Sequence, residues 1–422
     1  MEHTKFLIIG AGVTGLAFAD HLLSDDYQII EGAPSIGGYC KTVKQDGFVW
    51  DYSGHFFHFR HPELESHLRS RMDADSIATV QKSSKIYWNG CWIDFPFQNN
   101  IHQLPREDFI DCIHDLILRE PLGDANFHDM LYSRFGAAIC DRFLIPYNEK
   151  LYATDLRLLE AGAMGRFFPD GDATSIVRGF KSQSSSSYNS TFIYPAGGAI
   201  EFVNALARHV PSERIHTSEE VQQIDLTARV ATTSKRRIRY EHVISSAPLP
   251  ALLSLCSLPF EPEHFSWNKV AVFNLGFDRK GPPGIHWAYF PQRDIAFYRV
   301  GFYDNIRGDS RMSLYVEVGL QHDADVAAPR MRDLKDQVLD HLGRVGIVDD
   351  QRLVSSHQVV MDPAYVHVTS AALEDIQRFR AVLGSNDVYS IGRYGGWTYC
   401  SIEDNMIESR YLAETFNAVS GL

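Results

Sequence analysis

Apolar residues open the chain as a short run, Phe6-Leu7-Ile8-Ile9, and glycine ends the run at once. A secretory signal needs a longer apolar stretch and a small-residue cleavage site, so residues 5–9 read as a buried strand. Helical spacing follows over residues 13–23, then a second strand at Tyr27–Ile30 and helical spacing again over 61–72. Lys85–Trp88 and Cys91–Phe95 flank Asn89-Gly90. That arrangement predicts a hairpin, because both turn positions need a positive φ that Asn and Gly tolerate. From Pro105 to Asn148 the apolar positions Phe109, Ile110, Ile113, Leu116, Ile117, Met130, Leu131 and Phe135 recur with a helical period. A helical insertion is expected there. A helix is expected at Ala199–Val210, and strands at Val221–Leu226 and Tyr240–Ser245. Residues 268–320 alternate strand and turn signals and predict a mostly antiparallel sheet. Helices at 330–342 and 373–383, a strand at Val388–Ile391 and a closing helix from about Glu403 to Ala418 complete the pattern.

A chain of 422 residues is long for one core, so two or three packed substructures are expected. With 45% hydrophobic and 22% charged residues the composition is that of a globular protein rather than a disordered one. A net charge of −13 argues against a nucleic-acid or anionic-membrane surface, and any anionic ligand must find local basic residues. No apolar run is long enough for a membrane span. Cys40, Cys91, Cys112, Cys140, Cys256 and Cys400 are scattered without a CxxC pair, which fits reduced thiols and a cytoplasmic location.

Chemistry enters with Gly10-Ala11-Gly12-Val13-Thr14-Gly15, a GxGxxG between a predicted strand and a predicted helix. The first glycine permits the turn, the second lets backbone approach a pyrophosphate, and the third lets helix and strand pack closely. Alone, the motif could be any glycine-rich βα turn. Glu31 at the end of the second strand can accept hydrogen bonds from an adenosine ribose, and its charge disfavours a 2′-phosphate. Gly37-Gly38 then follows. The whole string resembles FAD enzymes of the glutathione reductase and amine oxidase superfamily. The resemblance implies FAD held by Gly10, Gly12, Thr14, Gly15, Glu31, Gly37 and Gly38, with Gly392 and Arg393 near the flavin diphosphate and ribityl chain. Val221 either meets the adenine or is plain strand core. The expected fold is α/β: a discontinuous Rossmann-type FAD domain (1–90, 191–265 and 371–422), a mainly helical subdomain inserted at 91–190, and an antiparallel substrate-domain sheet at 266–370.

Further segments resemble the UDP-galactopyranose mutase family, most of all its eukaryotic type. Trp92-Ile93-Asp94-Phe95-Pro96-Phe97-Gln98-Asn99-Asn100-Ile101 is similar to W-x-x-Y/F-P-x-Q-N-N-I. Pro146-Tyr147-Asn148-x-Lys150-x-Tyr152 is similar to P-Y-N-x-K-x-W, with Gly165-Arg166 after it. Asn189-x-Thr191-Phe192-x-Tyr194-Pro195, Trp287-x-Tyr289-Phe290-Pro291 with Phe297-Tyr298-Arg299, and Gly392-Arg393-Tyr394-Gly395-x-Trp397-x-Tyr399 keep the family's order. Asp51-Tyr52-Ser53-Gly54-His55 resembles D-x-G-G-H.

What that resemblance implies is a redox-neutral pyranose–furanose ring contraction of a nucleotide-diphospho-sugar, with UDP-galactopyranose first among substrates. Reduced flavin N5 attacks the anomeric carbon in such enzymes, and NADPH or NADH serves as reductant. Arg166 and Arg299 would hold the diphosphate as bidentate, permanently charged donors. Tyr365 and Tyr399 would add hydroxyls, although Tyr365 also reads as a core tyrosine. Gln98 and Asn189 would contact the nucleotide end. Phe95 or Phe97 would stack on the base, with hairpin-core packing the alternative. Trp287 and Tyr289 would wall the sugar, and His55 would lie over the flavin. No metal is expected from His55, His58 and His61, since nothing helical puts their rings on one face. A homo-oligomer is compatible with all of this. Three departures stand out: Glu403-Asp404 where the family carries uncharged residues, Tyr152 for a tryptophan, and Phe95 for a tyrosine. The rival class on the same fold is an FAD-dependent amine oxidase or desaturase, which would need an apolar tunnel and no arginine pair.

Overall fold

A computed structural model describes residues 1–120, 122–168, 172–180 and 190–419. Its first seven-stranded sheet is assembled from three distant stretches of chain. In order across the sheet stand Val221–Asp225, Val230–Thr233, Arg237–Ser245, Glu2–Ile9, Tyr27–Ile30 and Ile215–His216, with Val388–Ser390 pairing the end of Arg237–Ser245. Glu2–Ile9 runs parallel to both neighbours, Ile9 lying opposite Ser245 and Ile30. That explains the unbroken apolar run, because a central parallel strand is covered on both faces. Helices Val13–His21, Ile200–Ala207 and Ile402–Val419 pack together on one face, around Phe6, Leu16, Phe18, Phe202 and Met406. The expected discontinuous α/β architecture is what the chain forms.

The second sheet is antiparallel except at one seam. Its order is Leu353–Met361, Asn268–Phe277, Ser313–Gln321, Arg299–Phe302, Trp287–Tyr289, Ser84–Trp88, Cys91–Asp94. The predicted hairpin is present, with Asn89 at φ 46° and Gly90 at φ 86°. It forms the edge of this second sheet through a parallel pairing of Ser84–Ile86 with Trp287–Tyr289. Helix Ala328–Arg344 covers the sheet's outer face with Met331, Leu334, Val338 and Leu342. The helical insertion comprises Arg106–Leu118, Phe127–Ile139 and Ile145–Tyr152, packed round Phe127, Leu131, Phe135 and Phe143.

Two small pairings had no clear pattern in the sequence: Thr42–Gln45 with Phe48–Asp51, and Ile77–Gln81 with Thr191–Pro195. The strand expected at Tyr240–Ser245 starts earlier, at Arg237. The alternation Arg237, Ile238, Arg239, Tyr240 is its signature, exposed and buried in turn.

Candidate active site

The glycine motifs build a cradle at the end of the first sheet. A β-carbon on Gly15 would lie 2.0 Å from the Gly10 carbonyl oxygen, so helix and strand touch here backbone to backbone. Gly12 precedes helix Val13–His21 and faces Gly38 across a gap; its β-carbon would sit 3.8 Å from the Gly38 Cα. Gly37 ties the second turn to the first, its N–H donating to the Ala11 carbonyl at 2.8 Å. Glu31 accepts from the Ala11 and Ala33 N–H groups, each at 2.8 Å on a different oxygen. Each oxygen keeps a further lone pair for a ribose hydroxyl. Thr14 donates to Asn405, whose side chain also accepts the Arg393 N–H at 2.7 Å, and so fixes the Gly392-Arg393 turn beside the cradle. Val221 lines the same space.

That space is one continuous cavity of about 1790 Å³. It exceeds the roughly 300–1,000 Å³ of a single small-molecule site and has room for a dinucleotide and a second ligand. His55 lines it, half-buried, and its buried Nδ1 meets no hydrogen-bond partner among the described residues. Burial pushes the imidazole pKa down to about 4; Glu317 opposes the shift, and Arg393 and Arg299 add to it. Arg393 is held over the rings of Tyr365 and Tyr399, 5.1 and 4.8 Å from their centroids, and the two rings stack at 5.8 Å. Its Nε is likewise buried without a partner among the described residues. Unmatched polar atoms beside a glycine cradle are what a polar flavin ring and its diphosphate would satisfy, so the residues present fit FAD.

Arg299 lines the cavity from the second sheet, and the strand register sets it opposite Glu317. Its Nε and Nη2 donate to the two Glu317 oxygens at 2.6 and 2.8 Å. Glu317 is fully buried and also accepts from the Ser53 hydroxyl. Arg166 lines the same cavity from the turn Gly165–Phe167, with Nη2 donating to Asp404 at 2.6 Å. Trp287 and Tyr289 line the cavity side by side, the indole N–H donating to the phenol oxygen at 2.7 Å. Gln98 lines it too.

Of the two phenylalanines expected at the nucleotide end, only Phe95 reaches the cavity. Phe97 is wholly buried and stacks on Phe143 at 5.1 Å, so it is core; the turn after Pro96 directs it inward. Asn189 lies outside the described residues. Glu403 is buried and accepts the Arg60 and His61 N–H groups, which anchors the segment after His55.

Lys82 was not anticipated. It lines the cavity between the rings of Phe95 and Trp287, and burial and Arg299 push its pKa down to about 8. Glu317 had a signal in the sequence: an acid inside the apolar strand pattern Leu314–Val318 needs a buried cation.

Cradle and cavity together define a dinucleotide-binding flavoprotein. Residues 13–404 match the family of flavin containing amine oxidoreductases, and the chain belongs to that family. Over 99% of its length it superimposes with a TM-score of 0.91 on a reduced UDP-galactopyranose mutase, 24% identical, covering 94% of that chain. A CLA-producing fatty acid isomerase from P. acnes matches with a TM-score of 0.67 at 14% identity, over 98% of each chain. Cyclohexylamine oxidase from Brevibacterium oxydans IH-35A matches with a TM-score of 0.65 at 14% identity, over 99% of this chain and 100% of that one. Likeness at this distance establishes the fold, which carries three different reactions in these relatives, so the reaction must be argued from the site. Among the described residues no helix is long and apolar enough to cross a membrane.

Proposed function

We propose that this chain is a flavin-dependent mutase that contracts the pyranose ring of a nucleotide-diphospho-sugar to a furanose, with UDP-galactopyranose the leading substrate. The observation that carries the reading is the meeting of Arg166, Arg299, Tyr365 and Tyr399 in the same cavity as the glycine cradle. An amine-oxidising site needs no such cations. Bound FAD, reduced by NADPH or NADH, would supply the nucleophilic nitrogen for the covalent step.

The protein's part is orientation and charge. Arg166 and Arg299 hold the diphosphate near its leaving position, which favours its return over its escape. Burial raises the Tyr365 phenol and pushes the Tyr399 phenol up to about 12, so both stay protonated donors at neutral pH. Trp287 and Tyr289 wall the sugar, while Phe95, Gln98 and Asn189 take the nucleotide end. With its pKa near 4, His55 is neutral at physiological pH and offers one donor and one acceptor toward the flavin.

The test is to reduce the bound flavin with dithionite and offer a panel of nucleotide sugars. A furanose product should appear with reduced enzyme only, without stoichiometric use of reductant. Cyanoborohydride added during turnover should leave the extracted cofactor heavier by one sugar. If the oxidised enzyme instead consumes oxygen with amines and no nucleotide sugar is converted, the oxidase reading replaces this one.

A further inference from the structure

Asp404 belongs to a capping box. Ser401 precedes helix Ile402–Val419, and its N–H and hydroxyl both donate to Asp404 Oδ2, at 2.8 and 2.9 Å. The Asp404 N–H donates back to the Ser401 hydroxyl at 3.1 Å. A carboxylate in the first turn of a helix is favoured by the free N–H groups and by the helix dipole. Burial pulls the Asp404 pKa up, but the bonds from Ser401 and Arg166 outweigh it and hold the carboxyl below the usual carboxylate range. An ionised, immobilised anion therefore stands at this point.

Its other oxygen points to Arg166. Asp404 Oδ1 accepts from Arg166 Nη2 at 2.6 Å, and the same nitrogen lies 3.3 Å from the Ser401 hydroxyl. Arg166 lines the cavity, whereas Asp404 is not among the lining residues. A ligand therefore meets the arginine, with the aspartate behind it. Arg166 has a second support, since its guanidinium lies 4.4 Å over the Phe167 ring and Phe167 packs edge-on against Tyr399.

We propose that Asp404 tunes the anion affinity of the cavity by occupying part of the Arg166 charge, so that a diphosphate gains less from Arg166 than from an uncommitted arginine. The proposal rests on the reading of Arg166 as a diphosphate ligand. Two effects of the aspartate oppose each other. It helps to hold the arginine in place, and it competes with the incoming anion. The Phe167 stack already holds the guanidinium, so the competition dominates. Both groups are about 30% exposed, the side chains at 30% and 29%, so solvent screens the effect and keeps it modest.

The experiment is calorimetric titration of FAD-loaded protein with UDP and with inorganic pyrophosphate, a probe that needs no base recognition. Wild type, Asp404→Asn, Arg166→Ala and the double variant are compared. Asparagine keeps an oxygen for the Ser401 N–H, so the thermal midpoint should hold. If the amide distorts the cap, Asp404→Ser gives the same readout. Asp404→Asn should lower Kd about five- to twentyfold at low salt, an effect of about 1–2 kcal/mol. The gain should shrink at high salt and should fall below about twofold when Arg166 is absent. An unchanged or higher Kd in Asp404→Asn overturns the proposal, as does a gain that persists in full without Arg166. If Arg166→Ala leaves both probes bound as in wild type, the diphosphate reading of Arg166 fails and takes the proposal with it. That result is distinct from the one in which Arg166→Ala weakens binding and Asp404→Asn fails to tighten it.

Discussion

Arg166 and Arg299 match equivalent motifs but do not stand in equivalent places. Arg166 is partly exposed and its partner Asp404 keeps its own cap, so Arg166→Ala leaves no buried charge behind. About ten- to a hundredfold in substrate affinity or turnover should go, the worth of a charge-assisted bond of about 1.5–3 kcal/mol. Urea unfolding and FAD content should stay at wild-type values. Arg299→Ala strands Glu317, a fully buried carboxylate that Arg299 holds below its ordinary pKa against the pull of burial. Breaking such a pair costs about 3–5 kcal/mol, so this variant should unfold at clearly lower urea as well as losing activity. Replacing the pair together, Arg299→Met with Glu317→Leu, should recover much of the stability and none of the activity. An Arg299→Ala protein as stable as wild type would contradict a charged Glu317.

The strand–turn–helix unit at the N-terminus makes the same distinction among glycines. Gly15→Ala puts a methyl against the Gly10 carbonyl, with the Ile8 side chain also in close contact, and should fail to fold. A β-carbon at Gly12 meets only ordinary contacts in the folded protein, but Gly12→Val fills the space where a pyrophosphate must approach. It should purify folded and colourless, as read from the flavin-to-protein absorbance ratio and circular dichroism. A folded, fully yellow Gly12→Val would remove the cradle. Elements of this kind were legible in the sequence because their signal is local: a turn that needs particular residues, as at Asn89-Gly90, or a period that matches one secondary structure. Pairings were not. Ser84–Ile86 meets Trp287–Tyr289 across some two hundred residues with nothing in either segment to announce the other. Phe95 and Phe97 are two positions apart and part company because a turn intervenes. The Ser401–Asp404 capping box could be read from S-x-x-D, but its hold on Arg166, 238 positions away, appears only once the chain is folded.

Across the whole molecule, buried ionisable groups decide how stability follows pH. Burial pushes His55, His58 and His367 down to about 4. An imidazole in the unfolded chain takes its proton near pH 6.5, so between about pH 6.5 and 4 the unfolded state binds protons that the native state refuses. Each of these histidines therefore adds stability above that window and loses it as pH falls, by up to about 3 kcal/mol. Asp51 and Asp304 act in the opposite sense. Burial pushes both up to about 6, so the native state binds protons that the unfolded state has released, and their contribution falls as pH rises from about 4 to 6. Three histidines outweigh two aspartates with shifts of similar size. Carboxyls held below their ordinary range, such as Glu317 and Asp20, reinforce the histidines at the acid end. The urea midpoint of the FAD-loaded protein should therefore climb from about pH 4.5 to about 6.5. His367 can be tested by itself, because its ring bonds Ser266 and the Tyr152 carbonyl rather than lining the cavity. His367→Gln should flatten the climb by about a third of the histidine contribution without changing flavin content. A midpoint that is level or falling across that window would mean that the native state accepts these protons, and that the imidazoles are not buried neutral as the fold places them.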